Sequence, residues 1–312
     1  MTQKSQILIF GGIIVDQYVI VDHSPDRGGD VLISDSFFRV GGCAINVGTT
    51  LKNLGIQPHI VSNVGDDTWG RKIKDYLDLH HFSREAIRFA DDKKSGYCIS
   101  IVEYDGERTF LTYKGCESQF SRVMISRELC ESVSYVYVTG YYLLVPEYAH
   151  NVVHQLTDLK QAGAQLVFDP GPLAALIEDE VLHSVLKLTD LLIPNLTELD
   201  ILERKLKWDN MEISRFIETG IRNVVLKKGS KGAEVWTEDT YFKASPFAVN
   251  SVDTTGAGDS FAGGLLYGLS KGYDMKTSVK IASACGAITT TIMGPHGEFT
   301  VGDVTGMIEK EG

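Results

Sequence analysis

The sequence predicts an α/β protein with a mostly parallel central sheet, helices on both of its faces and a small antiparallel β lid. Three observations carry that prediction. Short β-branched and aliphatic runs alternate with stretches of helical apolar spacing, the pattern of strand-helix-strand units and of a sheet buried on both sides. Two pairs of strand-like runs have no helix between them. No repeat, low-complexity segment or Pro/Gly/Ser linker divides the 312 residues, so the paired strands read as insertions into one domain spanning 1–312.

The strand runs are QILIF (6–10), HIVSNV (59–64), YVYVTG (135–140), AQLVFD (164–169), DLLIPN (190–195) and NVVLKK (223–228). Between them, 44–54 reads as a helix that stops at Gly55 with Pro58 beyond it. In 147–163 the residues Val152, Val153, Leu156 and Leu159 line one face, and Gly163 falls where a left-handed C-terminal cap belongs. The strand pairs occupy about 13–40 and about 95–115, and Asp105-Gly106 marks a hairpin turn in the second. A small sheet of this kind would cover the edge of a cleft, hence the expectation of a lid.

The sharpest local signal is DTTGAGDSF at 253–261, which runs into the helix-forming AGGLLYGLS. A Gly256-Ala257-Gly258 turn entering a helix directs unpaired N–H groups and the positive helix end at one spot, an anion hole. Asp259 beside it puts a base within reach of a hydroxyl that attacks a bound phosphoryl group. Alone, the same residues also describe a dipole-favoured acid and a tight turn at an ordinary helix start.

Three further elements narrow this: GGCAINVG at 41–48, PNLTE at 194–198 and VVLKKGSKG at 224–232. With the first they resemble, in order and over nearly the whole chain, the ribokinase-like (PfkB) carbohydrate kinase family. The resemblance implies a three-layer αβα sandwich with a β lid. It also implies an ATP-dependent kinase that moves the γ-phosphate to a hydroxyl of a small fructose-, ribose- or sugar-acid-like carbohydrate.

Carried over residue by residue, the resemblance makes Asp259 the general base and Gly256, Ala257 and Gly258 the donors around the transferred phosphate. Asn195 and Glu198 then organise Mg2+ and the nucleotide phosphates, largely through water, as suits an ion that keeps most of its hydration shell. Lys227, Gly229, Gly232 and Ser283 fall on the nucleotide side. Asp16, Gly41, Gly42 and Asn46 fall on the acceptor hydroxyls. Asp16 interrupts an apolar strand run, where a charge needs a partner or an outward direction. Asn46 is a poor helix former inside a predicted helix. Asp253 and Thr255 match positions that hold a monovalent cation, K+, with the loop around Gly294 completing the shell.

The acceptor is less defined. Gly140-Tyr141-Tyr142 stands where ribokinase members carry an acidic sugar contact, and Leu173 replaces the Arg of the DxNxR pattern that follows the strand-ending Asp169 in fructokinase and ketodeoxygluconate kinase members. Lys114, after the Glu107-Arg108-Thr109-Phe110 hairpin and Tyr113, pairs with an acidic sugar or is a solvated lid charge. Phe37, Phe38, Tyr97 and Phe110 suit a nucleoside slot, which keeps a nucleoside kinase as the alternative, or they pack the lid or a subunit contact. A lid with an apolar face implies a homodimer through it.

Other classes fit poorly. With 30 basic and 41 acidic residues the net charge is −11, against a nucleic-acid partner. The N-terminal apolar run meets Asp16 well short of the roughly 18 to 20 residues that span a bilayer, and it lacks the order of a signal peptide, so a cytoplasmic protein without a membrane partner is expected. The five cysteines, Cys43, Cys98, Cys116, Cys130 and Cys285, show neither a disulfide framework nor a zinc spacing. His150 and His154 lack the Glu of HExxH. Gly11-Gly12 and Gly41-Gly42 both fail the dinucleotide fingerprint. A non-catalytic sugar sensor would be favoured by loss of Asp259 or the GAG turn, and both are present.

Overall fold

A computed structural model of the chain describes residues 5–208 and 213–310. Seven parallel strands form most of a nine-stranded sheet: β1 (Gln6–Phe10), β4 (His59–Gly65), β5 (Ile87–Ala90), β8 (Val133–Thr139), β9 (Gln165–Asp169), β10 (Leu191–Leu192) and β11 (Asn223–Lys227). β12 (Ala233–Thr237) and β13 (Tyr241–Ala244) extend it antiparallel, and the spatial order is β13-β12-β11-β10-β9-β8-β1-β4-β5.

Both faces are buried, and the period-two alternation of strands assigns the side chains. In β1, Leu8 and Phe10 join one apolar cluster while Ile7 and Ile9 join the other. The first cluster is covered by α3 (Arg127–Ser132), α4 (Pro146–Gln161), α5 (Asp179–Leu188), α6 (Leu196–Leu206) and α7 (Ser214–Glu218). The second lies under α1 (Cys43–Asn53), α2 (Thr68–Leu79), α8 (Ala257–Ser270) and α9 (Met275–Thr290), and α10 (Val301–Lys310) closes a smaller cluster through Val304. Gly55 and Gly163 hold φ of 81° and 90° just beyond α1 and α4, as their capping positions require.

Local expectations were adjusted in four places. The strand expected over 190–195 is regular only at Leu191–Leu192, with an isolated parallel bridge between Asn195 and Lys227 beyond it, because Pro194 has no N–H to donate and Asn195 already caps α6. Val153 packs at the margin of its cluster, whereas Val152, Leu156 and Leu159 lie within it. α8 opens at Ala257, two residues before Asp259, because Gly256 takes the left-handed conformation and turns the chain there. The lid comprises β2 (Ile14–Val21), β3 (Ile33–Gly41), β6 (Tyr97–Val102) and β7 (Arg108–Tyr113) in the order β3-β2-β6-β7. Its two hairpins are antiparallel, as expected, but β2 and β6 meet along a parallel seam because the two insertions leave the main sheet in the same direction.

α8 is buried between α1 and α9, and its glycines allow that. A Cβ on Gly263 would lie 2.7 Å from the Thr50 side chain of α1, and one on Gly264 or Gly268 would press on α9 at 2.9 Å and 2.7 Å. Gly263→Ala therefore forces the two helices apart and lowers the unfolding free energy by about 1–3 kcal/mol, read as a lower urea midpoint at unchanged slope.

Candidate active site

The functional residues gather beyond the carboxyl ends of the parallel strands, where an open α/β sheet leaves its crevice. β9 delivers Asp169, β11 delivers Lys227, and α1, α6 and α8 all begin there.

The 253–259 turn is forced by one close approach. Gly256 has φ 73°, and a Cβ on it would fall 1.8 Å from the Pro295 carbonyl oxygen. Past it, the Gly258 and Asp259 N–H groups make no hydrogen bond among the described residues, while the Ala257 N–H donates back to the Thr254 carbonyl at 3.3 Å. Among the described residues the open N–H groups of this turn are thus those of Gly256, Gly258 and Asp259, and that of Ala257 is engaged internally. Asp259 stands in the first turn of α8 and accepts a 2.7 Å hydrogen bond from Asn46 Nδ2. Burial pushes its carboxyl up to about 7; Asn46 and Lys227 oppose the shift, and Asp169 and Glu198 add to it.

Behind Asp259 lies a buried ionic cluster. Lys227 Nζ donates to Asp169 Oδ2 at 2.7 Å and stands 4.0 Å from Glu198 Oε2. Burial disfavours the ammonium, but Asp169, Glu198 and Asp259 hold its pKa above the ordinary lysine value. Burial and the Asp169 charge raise Glu198 to about 7. Asn195 and Glu198 form a capping box: Asn195 Oδ1 accepts from the Glu198 N–H at 2.9 Å, and Glu198 Oε2 accepts from the Asn195 N–H at 2.7 Å. Lys227 is therefore turned inward against carboxylates, and Lys228 is paired with Glu234 at 2.8 Å. Gly229 and Gly232 shape the turn after β11 with φ of 56° and 81°. Ser283 Oγ, on α9, is buried without a hydrogen-bond partner among the described residues.

On the other side of Asp259 lie the remaining predicted residues. Gly42, the N-cap of α1, has φ 86°, and a Cβ there would lie 2.5 Å from the Gly12 carbonyl oxygen. A Cβ on Gly41 would lie 2.4 Å from Asp16 Oδ2. Asp16 makes no hydrogen bond among the described residues, and burial raises its carboxyl to about 7. Asn46 Oδ1 is likewise buried and unpartnered. Lys114 Nζ rides 4.2 Å above the Tyr141 ring and stands 3.9 Å from Glu117 Oε1.

Asp253 and Thr255, the expected monovalent-cation residues, both meet Arg108, whose Nη1 donates to Asp253 Oδ1 at 2.5 Å and to Thr255 Oγ1. The Gly294 N–H of the following loop donates to Asp253 Oδ2 at 2.8 Å. Three of the four lid aromatics pack on neighbouring rings, one of the two readings open for them from the sequence. Phe37 stacks on Tyr18, Phe38 and Tyr97 lean on Trp69, and Phe110 faces outward.

Asp169, Tyr141 and Glu117 were not singled out as site residues from sequence. The signal for Asp169 was its place at the end of a strand run. Glu117 is 2 % exposed between Gly12 and Gly96, with Oε1 lacking a hydrogen-bond partner among the described residues, and nothing in its local sequence marks it.

Comparison with known proteins agrees with this geometry. A family model described as pfkB family carbohydrate kinase matches residues 4–298. Among curated relatives, a sugar kinase of Escherichia coli is 28% identical over 304 residues, covering 95% of this chain and 91% of the relative. An ATP-dependent ribose-1-phosphate kinase of Halopiger xanaduensis is 26% identical, covering 98% of each chain. In fold, the chain matches a ribokinase from Thermotoga maritima at a TM-score of 0.86 with 21% identity, covering 97% of this chain and 99% of the other. It also matches a fructokinase with bound ATP from Xylella fastidiosa at 0.85 with 20% identity, covering 99% of both.

The cluster predicts its own energetics. Lys227→Met leaves two buried carboxylates unpaired and lowers the unfolding free energy at pH 8 by about 3–5 kcal/mol. The loss shrinks as pH falls, because Glu198, already raised by burial and without the cation that opposes that shift, takes up a proton more readily in the folded state. Denaturant titrations at the two ends of that range check both the size and the sign.

Proposed function

Because the chain belongs to the pfkB family of carbohydrate kinases, we propose that it transfers the γ-phosphate of ATP to a hydroxyl of a small carbohydrate, with Asp259 as general base. The observation that carries the reading is the pairing of a carboxylate raised to about 7 with two open N–H groups on the same helix turn. The acceptor lies between Asp16, Asn46 and Asp259, with the backbone at Gly41 and Gly42 close to it. Its hydroxyl gives its proton to Asp259, and the oxygen attacks the phosphoryl group in line. The Gly258 and Asp259 N–H groups, with the positive end of α8, stabilise the charge that develops. The lid excludes water, so that sugar rather than solvent is the acceptor.

Mg2+ suits the residues present. Asp169, Glu198 and Asp259 face a single lysine, an excess of hard carboxylate oxygens beside the phosphate position. Glu198, with Asp169 next to it, would hold the ion through water, and the ion would neutralise phosphate charge and orient the oxygens. Gly229, Gly232 and the unpartnered Ser283 hydroxyl flank the nucleotide. Asn195 contributes by fixing Glu198.

A carbohydrate acceptor is favoured over a nucleoside because Phe37, Phe38 and Tyr97 are engaged with Tyr18 and Trp69. The curated relatives with fructokinase and ribose-1-phosphate kinase names point the same way. Lys114, poised on Tyr141, suits an acceptor with an anionic or electron-rich substituent. The chain forms one kinase domain whose lid pairs two copies through Ile33, Phe38, Phe110 and Leu111, all exposed here. The five cysteines form no disulfide among the described residues, which suits a reducing cytoplasm.

Asp259→Asn lowers kcat by about 10^3-fold or more while ATP affinity stays near normal. Near-normal turnover in that variant overturns the assignment. At pH 8 the same variant melts roughly 2–4 °C higher than the parent, because a carboxyl whose folded pKa exceeds its unfolded one loses stability as pH rises through the interval between them. kcat/KM of the parent rises with pH through about 7 and then levels. In Asn46→Ala that limb moves to higher pH, because a donor to the charged form has been removed. An ADP-release screen over ketoses, pentoses, sugar acids and nucleosides identifies the acceptor, and turnover with nucleosides alone overturns the carbohydrate reading.

A further inference from the structure

Arg108 is the first residue of β7, just past the lid turn at Asp105-Gly106, and lies 145 residues before Asp253 in the chain. Its guanidinium nevertheless reaches out of the lid to the loop that opens the anion hole. Nη1 donates to Asp253 Oδ1 at 2.5 Å and to Thr255 Oγ1, the two side chains that match the family's monovalent-cation positions. The other donors to Asp253 are the Thr255 N–H on Oδ1 and the Gly294 N–H on Oδ2, each at 2.8 Å. The Asp253 side chain is fully buried and that of Arg108 is 18% exposed.

The charge balance at this spot is therefore closed. One carboxylate faces one guanidinium, and both carboxylate oxygens and the threonine hydroxyl are engaged. An additional monovalent cation would meet a neutral pair ringed by N–H donors, which repel it. The residues present do not fit K+. We propose that Arg108 is a built-in cation for the 253–256 loop, so that this enzyme positions its anion hole independently of K+. Because the cation comes from the lid hairpin, lid placement and anion-hole placement are one event. A kinase that takes its cation from solution lacks that link.

Arg108 acts through Asp253 and Thr255 on the N–H groups of Gly258 and Asp259, which makes it a positioning residue. The activity arm of the test rests on the phosphotransferase reading above, and the thermal arm does not. Turnover and melting temperature are measured for the parent, Arg108→Ala and Arg108→Lys in KCl, NaCl and tetramethylammonium chloride at equal ionic strength.

The parent is expected to change less than about twofold in kcat among the salts and to melt at one temperature in all three. Arg108→Ala exposes the carboxylate. It is expected to lose about 10^2-fold in kcat in tetramethylammonium chloride, to regain at least about tenfold in KCl, and to melt higher in KCl than in tetramethylammonium chloride. Arg108→Lys keeps a point charge without the fork and is expected to stay salt-independent at reduced kcat. A parent that requires KCl, or an Arg108→Ala variant indifferent to the salt in both readouts, overturns the proposal. If no acceptor is phosphorylated at all, the carbohydrate kinase reading has failed, and the K+-selective melting shift of Arg108→Ala still decides the cation question.

Discussion

Carboxylates outnumber cations at the carboxyl ends of the parallel strands, and the site is organised around that imbalance. Asp169, Glu198 and Asp259 converge there with Lys227 as the one ammonium among them. The sheet brings them together because β9 and β11 end side by side with only the two-residue β10 between them. Lys227 compensates Asp169 directly and Glu198 at longer range, so for Asp259 burial outweighs the opposition of Asn46 and of the shared Lys227. A carboxyl near neutrality, next to open N–H groups, follows from that arrangement without any special property of Asp259 itself.

The second constraint is steric. α1 and α8 both start at glycines whose φ is positive, and each glycine lies against a carbonyl oxygen that a side chain would strike: Gly12 for Gly42 and Pro295 for Gly256. These contacts set where the two helix N-termini point. Gly263, Gly264 and Gly268 then let α8 sink between α1 and α9, which carries Asn46 to within hydrogen-bond distance of Asp259. Behind that bond, Ser260 accepts from Thr50 at 3.0 Å and from Thr289 at 2.8 Å and donates to the Cys285 carbonyl, tying the three helices into one unit. Turn geometry, helix packing and the environment of the base are thus linked.

Much of this was legible in the chain. Alternating periodicity gave the layered sheet, Gly55 and Gly163 marked helix ends, Asp105-Gly106 marked the lid turn, and DTTGAGD marked the anion hole. Asn195 and Glu198 carry a capping-box spacing as well as the family motif, and the structure shows the box formed. Other features left no trace. The parallel seam of the lid joins two hairpins that look alike from their turns. Ala257 belongs to the motif, yet its N–H is spent on the Thr254 carbonyl. The contact of Arg108 with Asp253 and Thr255 was not legible either, because Arg108 arrives from a segment with no spacing relation to them.

Local pattern carries information about periodicity, turns and the few backbone positions that only glycine can occupy, since these depend on residues near one another in sequence. From them came the α/β class, the lid, the family and the identity of Asp259. Electrostatic partnership depends on distance in space. Asn46 and Asp259 are 213 residues apart, Lys227 and Asp169 are 58 apart, and Arg108 and Asp253 are 145 apart. Which charge meets which, and so which acid is poised near neutrality and which cation meets Asp253, was settled when folding closed those separations, because Coulomb and hydrogen-bond energies act over ångströms and are indifferent to chain order.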